Sequence, residues 1–101
     1  MLLLVCFDLP RETQRERKQA NKYKKRLIEL GFTMKQYSLY EREIRQQSTR
    51  KKVIETLRKE LPDVGAITLY LLPDEVHDGQ ITILGERAIN RTIRNPKLII
   101  L

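Results

Sequence analysis

Apolar positions change their spacing from one stretch of this chain to the next. Leu2 to Phe7 is an unbroken apolar run of strand length that ends at Asp8-Leu9-Pro10. A run with no polar alternation predicts a central strand buried on both faces. From Arg11 to Leu30 the apolar residues Ala20, Tyr23, Leu27 and Leu30 recur every three or four positions, which predicts an amphipathic helix. Thr13 and Glu16 have the spacing of a capping box at its start, and Gly31 supplies the stop. On the face opposite the apolar stripe fall Lys18, Lys22, Lys25 and Arg26.

Phe32 to Ile44 alternates in parts, through Phe32, Met34, Tyr37, Leu39, Tyr40 and Ile44, and fits one bent strand or two short abutting strands. Arg45 to Arg50 reads as a polar loop. Ser48 or Thr49 is then expected to cap a second helix running to Glu60, with Val53, Ile54, Leu57 and Leu61 facing the core and Pro62 ending it. Ala66 to Leu72 reads as a strand, Pro73 to Gly79 as a connector with an Asp78-Gly79 turn, and Gln80 to Leu84 as a short strand. The order predicts an α+β fold, a ferredoxin-like βαββαβ sandwich with both helices on one sheet face. Residues 1–84 form the expected core domain, and 85–101 a tail whose Leu98, Ile99, Ile100 and Leu101 are suited to an additional strand on another sheet edge, a partner-docking segment.

The second sheet face needs cover, because the alternate residues of Ala66 to Leu72 are also largely apolar. Pairing of two copies through their sheets supplies it, since a bare apolar sheet face exceeds the patches usual on soluble monomers. A tail folded back over its own sheet is the alternative.

Charge narrows the choice of partner. The 101 residues carry 20 Lys and Arg against 13 Asp and Glu, a formal charge of +7, which favours polyanions. None of the cations precedes Arg11 and none lies between Val64 and Glu86, so they gather in the middle segments and the tail. The lysine face, with Arg15 beside it, suits phosphate tracking, and no aromatic is interleaved with it as in a base-stacking platform. A merely solvated helix surface is the plainer reading of the same run. Arg50, Lys51 and Lys52 form a second basic cluster by the second helix. The length suits one compact core rather than two. The single cysteine, Cys6, sits in the first apolar run as a small hydrophobe. With no basic leader before that run, no small-residue cleavage site and Asp8 directly after it, a cytoplasmic protein is expected, without a membrane partner.

Asp8 draws attention because an acid after a wholly apolar strand must reach water or a cation. A turn residue before Leu9-Pro10 is the bland reading. If the first strand lies near a two-fold axis, two Asp8 carboxylates approach and need a shared proton or a cation. Mg²⁺ suits, since it takes one or two carboxylates and completes its shell with water and phosphate oxygens. His77, the sole histidine, has no companion ligand motif and is read as a surface residue.

Phe7-Asp8-Leu9-Pro10, Thr13 opening a helix with Arg17-Lys18, Gly31-Phe32 closing it, and Gln36-Tyr37-Ser38-Leu39-Tyr40 together resemble the small CRISPR adaptation protein family, CRISPR-associated protein two, most like its type II versions. The resemblance runs from Met1 to about Leu84. Leu39 stands where the family more often has valine. The resemblance implies a ferredoxin-like homodimer in which Asp8 of each subunit binds Mg²⁺ at the shared axis, with endonuclease activity on RNA or DNA in some members. It also implies a role in spacer acquisition: the dimer holds duplex DNA on its basic surface and bridges dimers of the CRISPR integrase, CRISPR-associated protein one. A toxin-type ribonuclease or an RNA-binding module on the same fold, acting on single-stranded RNA, is the alternative.

Overall fold

The computed structural model describes residues 1–84. The elements run β1 (Leu2–Asp8), α1 (Gln14–Glu29), β2 (Thr33–Gln36), β3 (Leu39–Glu43), α2 (Gln47–Lys59), β4 (Ala66–Leu72) and α3 (Asp74–Asp78). Through β4 this is the βαββαβ order of a ferredoxin-like α+β sandwich, and the four strands form one sheet in the order β2-β3-β1-β4. β1 runs antiparallel to β3, with Leu2 across from Glu43 and Cys6 across from Leu39. By packing, Met1–Leu71 form one compact unit, and the described residues from Leu72 onward fall in a second.

Alternation along β1 separates its side chains. Leu3, Val5 and Phe7 enter the core with Tyr23 and Leu27 of α1, Val53 and Leu57 of α2, and Phe32, Tyr40 and Ile44. Leu4, Cys6 and Asp8 point to the other face, where the register places them beside Glu41 and Leu39 of β3.

Phe32 to Ile44 is two strands. They are joined at Tyr37-Ser38, with an irregularity between Met34 and Gln36 that shifts the register. The α1 capping box forms as expected: Thr13 Oγ1 accepts from Glu16 N–H at 3.1 Å, and Glu16 Oε1 accepts from Thr13 N–H at 2.9 Å. Thr13→Ala should cost about 1 kcal/mol. For a domain of this size that lowers the melting temperature by roughly 4–8 °C, and an unchanged thermal melt would contradict the cap's role.

Several expectations are corrected. α2 begins at Gln47, capped by Gln46 without a side-chain bond, because Arg50 N–H already reaches the Gln46 carbonyl at 3.1 Å; neither Ser48 nor Thr49 is the cap. Leu61 lies beyond the helix end, off the apolar stripe, and is exposed. Pro73 to Gly79 is not an open turn but contains α3, whose start combines Pro73 with Asp74 and Glu75 in the first turn, both helix-start signals. Gln80 to Leu84 is not a strand: Gly79 and Gln80 donate back to Glu75 and His77, and β-favouring Ile81 and Ile83 join no ladder among the described residues. Leu98 to Leu101 and the expected additional strand lie outside the described residues.

Tyr23 shows how tightly the helices close. Its hydroxyl donates to the Leu57 carbonyl at 3.4 Å across the α1–α2 contact. Burial, reinforced by the charge of Glu60, pushes its phenol from the usual 10.0 up to about 12. The folded chain thus holds this proton more tightly than the unfolded one. That stabilisation is complete below pH ~10 and is lost as the pH rises through about 12. Tyr23→Phe should flatten the fall of the melting temperature over that window, whereas superimposable pH profiles for the two proteins would contradict this account.

Candidate metal and nucleic-acid sites

Asp8 closes β1 with an exposed side chain on the sheet face away from the helices. Its neighbour Phe7 anchors it from within: the ring is buried against Tyr40, centroids 5.7 Å apart, and the Phe7 N–H donates to the Ser38 carbonyl at 3.0 Å. Continuing that register by one residue brings Tyr37, 82% exposed, to the same end of the sheet as Asp8. Tyr40 instead belongs to the core.

The loop from Asp8 to α1 is clipped to the helix it enters. The Arg17 guanidinium donates to the carbonyl oxygens of Arg11 at 3.1 Å and Glu12 at 3.0 Å, and Arg11 donates to Asn21 Oδ1 at 3.0 Å. The motif Arg17-Lys18 is therefore split in function: Arg17 braces the loop, while Lys18 is exposed.

Among the described residues no three His, Cys, Asp or Glu side chains gather as a metal site, and β1 itself carries one carboxylate, Asp8. A structural zinc, which needs four protein ligands, does not suit that donor set. Mg²⁺ does: it is held by one or two carboxylates and keeps several waters. Asp8 from each of two copies would supply the pair.

The expected basic residues fall into distinct groups. Lys18, Lys22 and Lys25 are exposed on α1, opposite the buried Ala20, Tyr23 and Leu27, and have no carboxylate within ion-pair distance among the described residues. Arg15 donates to Asp63 at 2.6 Å, and Arg26 to Glu60 at 2.7 Å and Glu29 at 3.5 Å. Gln19 and Arg15 together hold the Asp63 carboxyl below its usual range. Lys51 and Lys52 are exposed near the start of α2, while Arg50 is half-buried with its guanidinium turned toward Met1. The free lysines of α1 thus point away from the sheet, and Asp8 lies on the sheet's far face. Cation surface and carboxylate occupy opposite layers of the chain.

One cation beside the end of β1, Lys24, has no distinguishing signal in the sequence. Lys24 Nζ lies 5.8 Å above the centre of the Phe7 ring; burial first, and the nearby charge of Arg11 second, lower its pKa. Lys24 sits within the lysine-rich stretch, where spacing alone does not set it apart. His77 lies in α3, half-buried, near the Gln80 amide. Among the described residues no helix is long and apolar enough to cross a membrane.

This chain resembles known proteins across most of its length. It is 33% identical over 95 residues to the CRISPR-associated endoribonuclease Cas2 of Campylobacter jejuni, covering 94% of this chain and 66% of that protein. It is also 33% identical to the protein of that name from Ligilactobacillus salivarius, covering 94% of this chain and 92% of the other. A Streptococcus mutans protein, again of the same name, is 31% identical across this whole chain and 93% of its own length. Among solved structures, the crystal structure of Streptococcus pyogenes Cas2 at pH 6.5 superposes with a TM-score of 0.66 at 23% identity, covering 84% of this chain and all of that one, which bears out the fold. With residues 1–78 also matching the model of the family described as CRISPR associated protein Cas2, the chain belongs to that family.

Proposed function

We propose that this chain serves the acquisition of CRISPR spacers as a homodimer joined through the outer sheet faces. The pair holds duplex DNA along its lysine surfaces and bridges dimers of the CRISPR integrase, and its two Asp8 carboxylates bind Mg²⁺ for endonuclease cleavage of RNA or DNA. The observation that carries this reading is the lone exposed carboxylate at the tip of an otherwise buried strand, on the face that pairing would bring to a symmetry axis. That face also carries half-buried Leu4, Cys6 and Leu39, and Tyr70 at 49% exposure, apolar area that a second copy would cover.

Bound there, Mg²⁺ would polarise a phosphodiester and lower the pKa of an attacking water. Asp8 holds and orients; Phe7 and the Arg17-clipped loop keep it in place. The relatives' shared name, endoribonuclease, supports RNA as one substrate. β1 supplies no second acid or histidine beside Asp8 to serve as general base, and no group of three such side chains gathers among the described residues, so slow turnover is expected. The scaffold role does not depend on that step, since the lysines occupy the other layer.

The test is to follow the full chain with labelled RNA and duplex DNA, with Mg²⁺ or with EDTA, alongside size-exclusion chromatography with the integrase. Metal-dependent cleavage and metal-independent duplex retention are expected, together with a complex that weakens when Leu98 to Leu101 are removed while the homodimer persists. A monomer that retains no duplex at low salt would overturn the reading.

A further inference from the structure

Gly65 stands immediately before β4, with φ at +115°, a region that side chains other than glycine's rarely occupy. Its special conformation coincides with a close approach. A Cβ at this position would lie 2.9 Å from the Asp8 carbonyl oxygen, 2.7 Å from Leu9 Cδ2 and 3.3 Å from Leu9 Cα. The Leu9 methyl could swing aside. The Asp8 oxygen can yield only if the Asp8–Leu9 peptide turns, which disturbs the backbone at the end of β1 from which the Asp8 side chain projects.

The turn bearing Gly65 is itself held. Asp63 N–H donates to Gln19 Oε1 at 3.0 Å, Gln19 Nε2 donates to Asp63 Oδ2 at 2.9 Å, and Arg15 donates to that same oxygen at 2.6 Å. Gln19 and Arg15 belong to α1, whose entry loop from Asp8 is clipped by Arg17. The contacts form a closed circuit from the end of β1 through the loop to α1, across to Asp63, and back through Gly65 onto Asp8.

We infer that Gly65 and Asp63 are positioning residues for Asp8: the turn is a backstop that fixes the end of β1 so that the carboxylate meets a divalent ion in one orientation. The inference rests on the reading of Asp8 as a metal ligand. Neither residue touches the ion. Mg²⁺ demands near-ideal octahedral geometry, so its binding is sensitive to a small tilt of a ligand, and groups that orient metal ligands commonly control affinity about 10- to 100-fold. In a purely structural role Gly65 would affect stability alone.

Mn²⁺ binding to the full-length chain, read by electron paramagnetic resonance with Mg²⁺ as competitor, separates the two roles. Gly65→Ala should weaken Mn²⁺ binding about tenfold or more and shift the amide resonances of Asp8 and Leu9. Adding Leu9→Ala, which removes only the side-chain collision, should not restore binding. Leu27→Ala, which opens the core away from the site, should lower the melting temperature and leave Mn²⁺ affinity unchanged. Should Gly65→Ala fail to fold, Asp63→Ala decides, with severalfold weaker binding expected. Wild-type affinity in Gly65→Ala, or in Asp63→Ala where that variant must decide, overturns the inference while Asp8→Asn still abolishes binding. If Asp8→Asn binds Mn²⁺ like the wild type, the reading of Asp8 fails and the inference falls with it.

Discussion

Asp8→Ala is expected to abolish metal-dependent phosphodiester cleavage while duplex DNA is retained at near wild-type affinity. Loss of a residue that merely supports a metal ligand costs about 10- to 100-fold, so loss of the ligand itself should cost at least about 100-fold in cleavage rate at limiting Mg²⁺. Retention should survive because Asp8 and the α1 lysines lie on opposite layers of the sandwich. The same substitution has an opposite effect without metal. Two carboxylates at a shared axis repel, so in EDTA the Asp8→Ala dimer should dissociate less readily than the wild type, and Mg²⁺ should stabilise only the wild-type dimer. Cleavage by a cleanly purified Asp8→Ala protein at the wild-type rate would remove Asp8 from the chemistry. Identical dimer affinities in EDTA would place the two carboxylates apart.

The second large effect concerns the lysines. Lys18, Lys22 and Lys25 carry charges with no carboxylate to offset them among the described residues, whereas Arg15 and Arg26 are engaged by Asp63 and Glu60. Replacing all three lysines by alanine should weaken duplex binding by about tenfold or more near physiological salt. The slope of log affinity against log salt is the sharper readout, because each phosphate contact contributes about 0.9 for duplex DNA and about 0.7 for a single strand. If all three contact phosphate, the slope should flatten by about 2.7 on duplex DNA and about 2.1 on single-stranded RNA. The number of contacts and the kind of strand they follow can therefore be read from one titration. Mn²⁺ affinity should be unaffected. An unchanged slope would make this face a solvated helix surface and move the search to Lys51 and Lys52.

The parts legible in the sequence are those set by local spacing. The run Leu2 to Phe7, the stripe of Ala20, Tyr23 and Leu27, and the Thr13–Glu16 box each contain within a few residues what determines β1 and α1. The sequence does not mark the division of Phe32 to Ile44, because its turn is Tyr37-Ser38, with neither glycine nor asparagine, and no non-glycine residue described has a positive φ. The register shift between Met34 and Gln36 accommodates that turn, and such an irregularity leaves no mark in an alternation pattern. Asp78-Gly79 read as a turn because glycine after aspartate is a turn signal, yet Gly79 has φ of −84° and ends a helical turn begun at Pro73. Ile81 and Ile83 have strand propensity, but strand formation also requires a partner edge.

The candidate site was legible in outline. Asp8 and the lysine face follow from where charge interrupts apolar spacing, and both are exposed as read. What engages Arg15 was not legible, because Asp63 is far along the chain and only the packing of the turn before β4 against α1 brings them together. For the same reason nothing near Gly65 in sequence announces its approach to Asp8. The brace from Arg17 to the Arg11 and Glu12 carbonyls was hidden too, since a cation that bonds backbone oxygens looks, in sequence, like one that awaits a phosphate.

The central claim is that two copies join their Asp8 carboxylates around one ion. Counting Mn²⁺ bound per chain by electron paramagnetic resonance, on material whose mass is fixed by sedimentation in the same buffer, tests it most directly. One tightly held Mn²⁺ per two chains, on a dimer, and none in Asp8→Asn is the predicted result; one ion per chain on a monomer, or undiminished binding by Asp8→Asn, would contradict it.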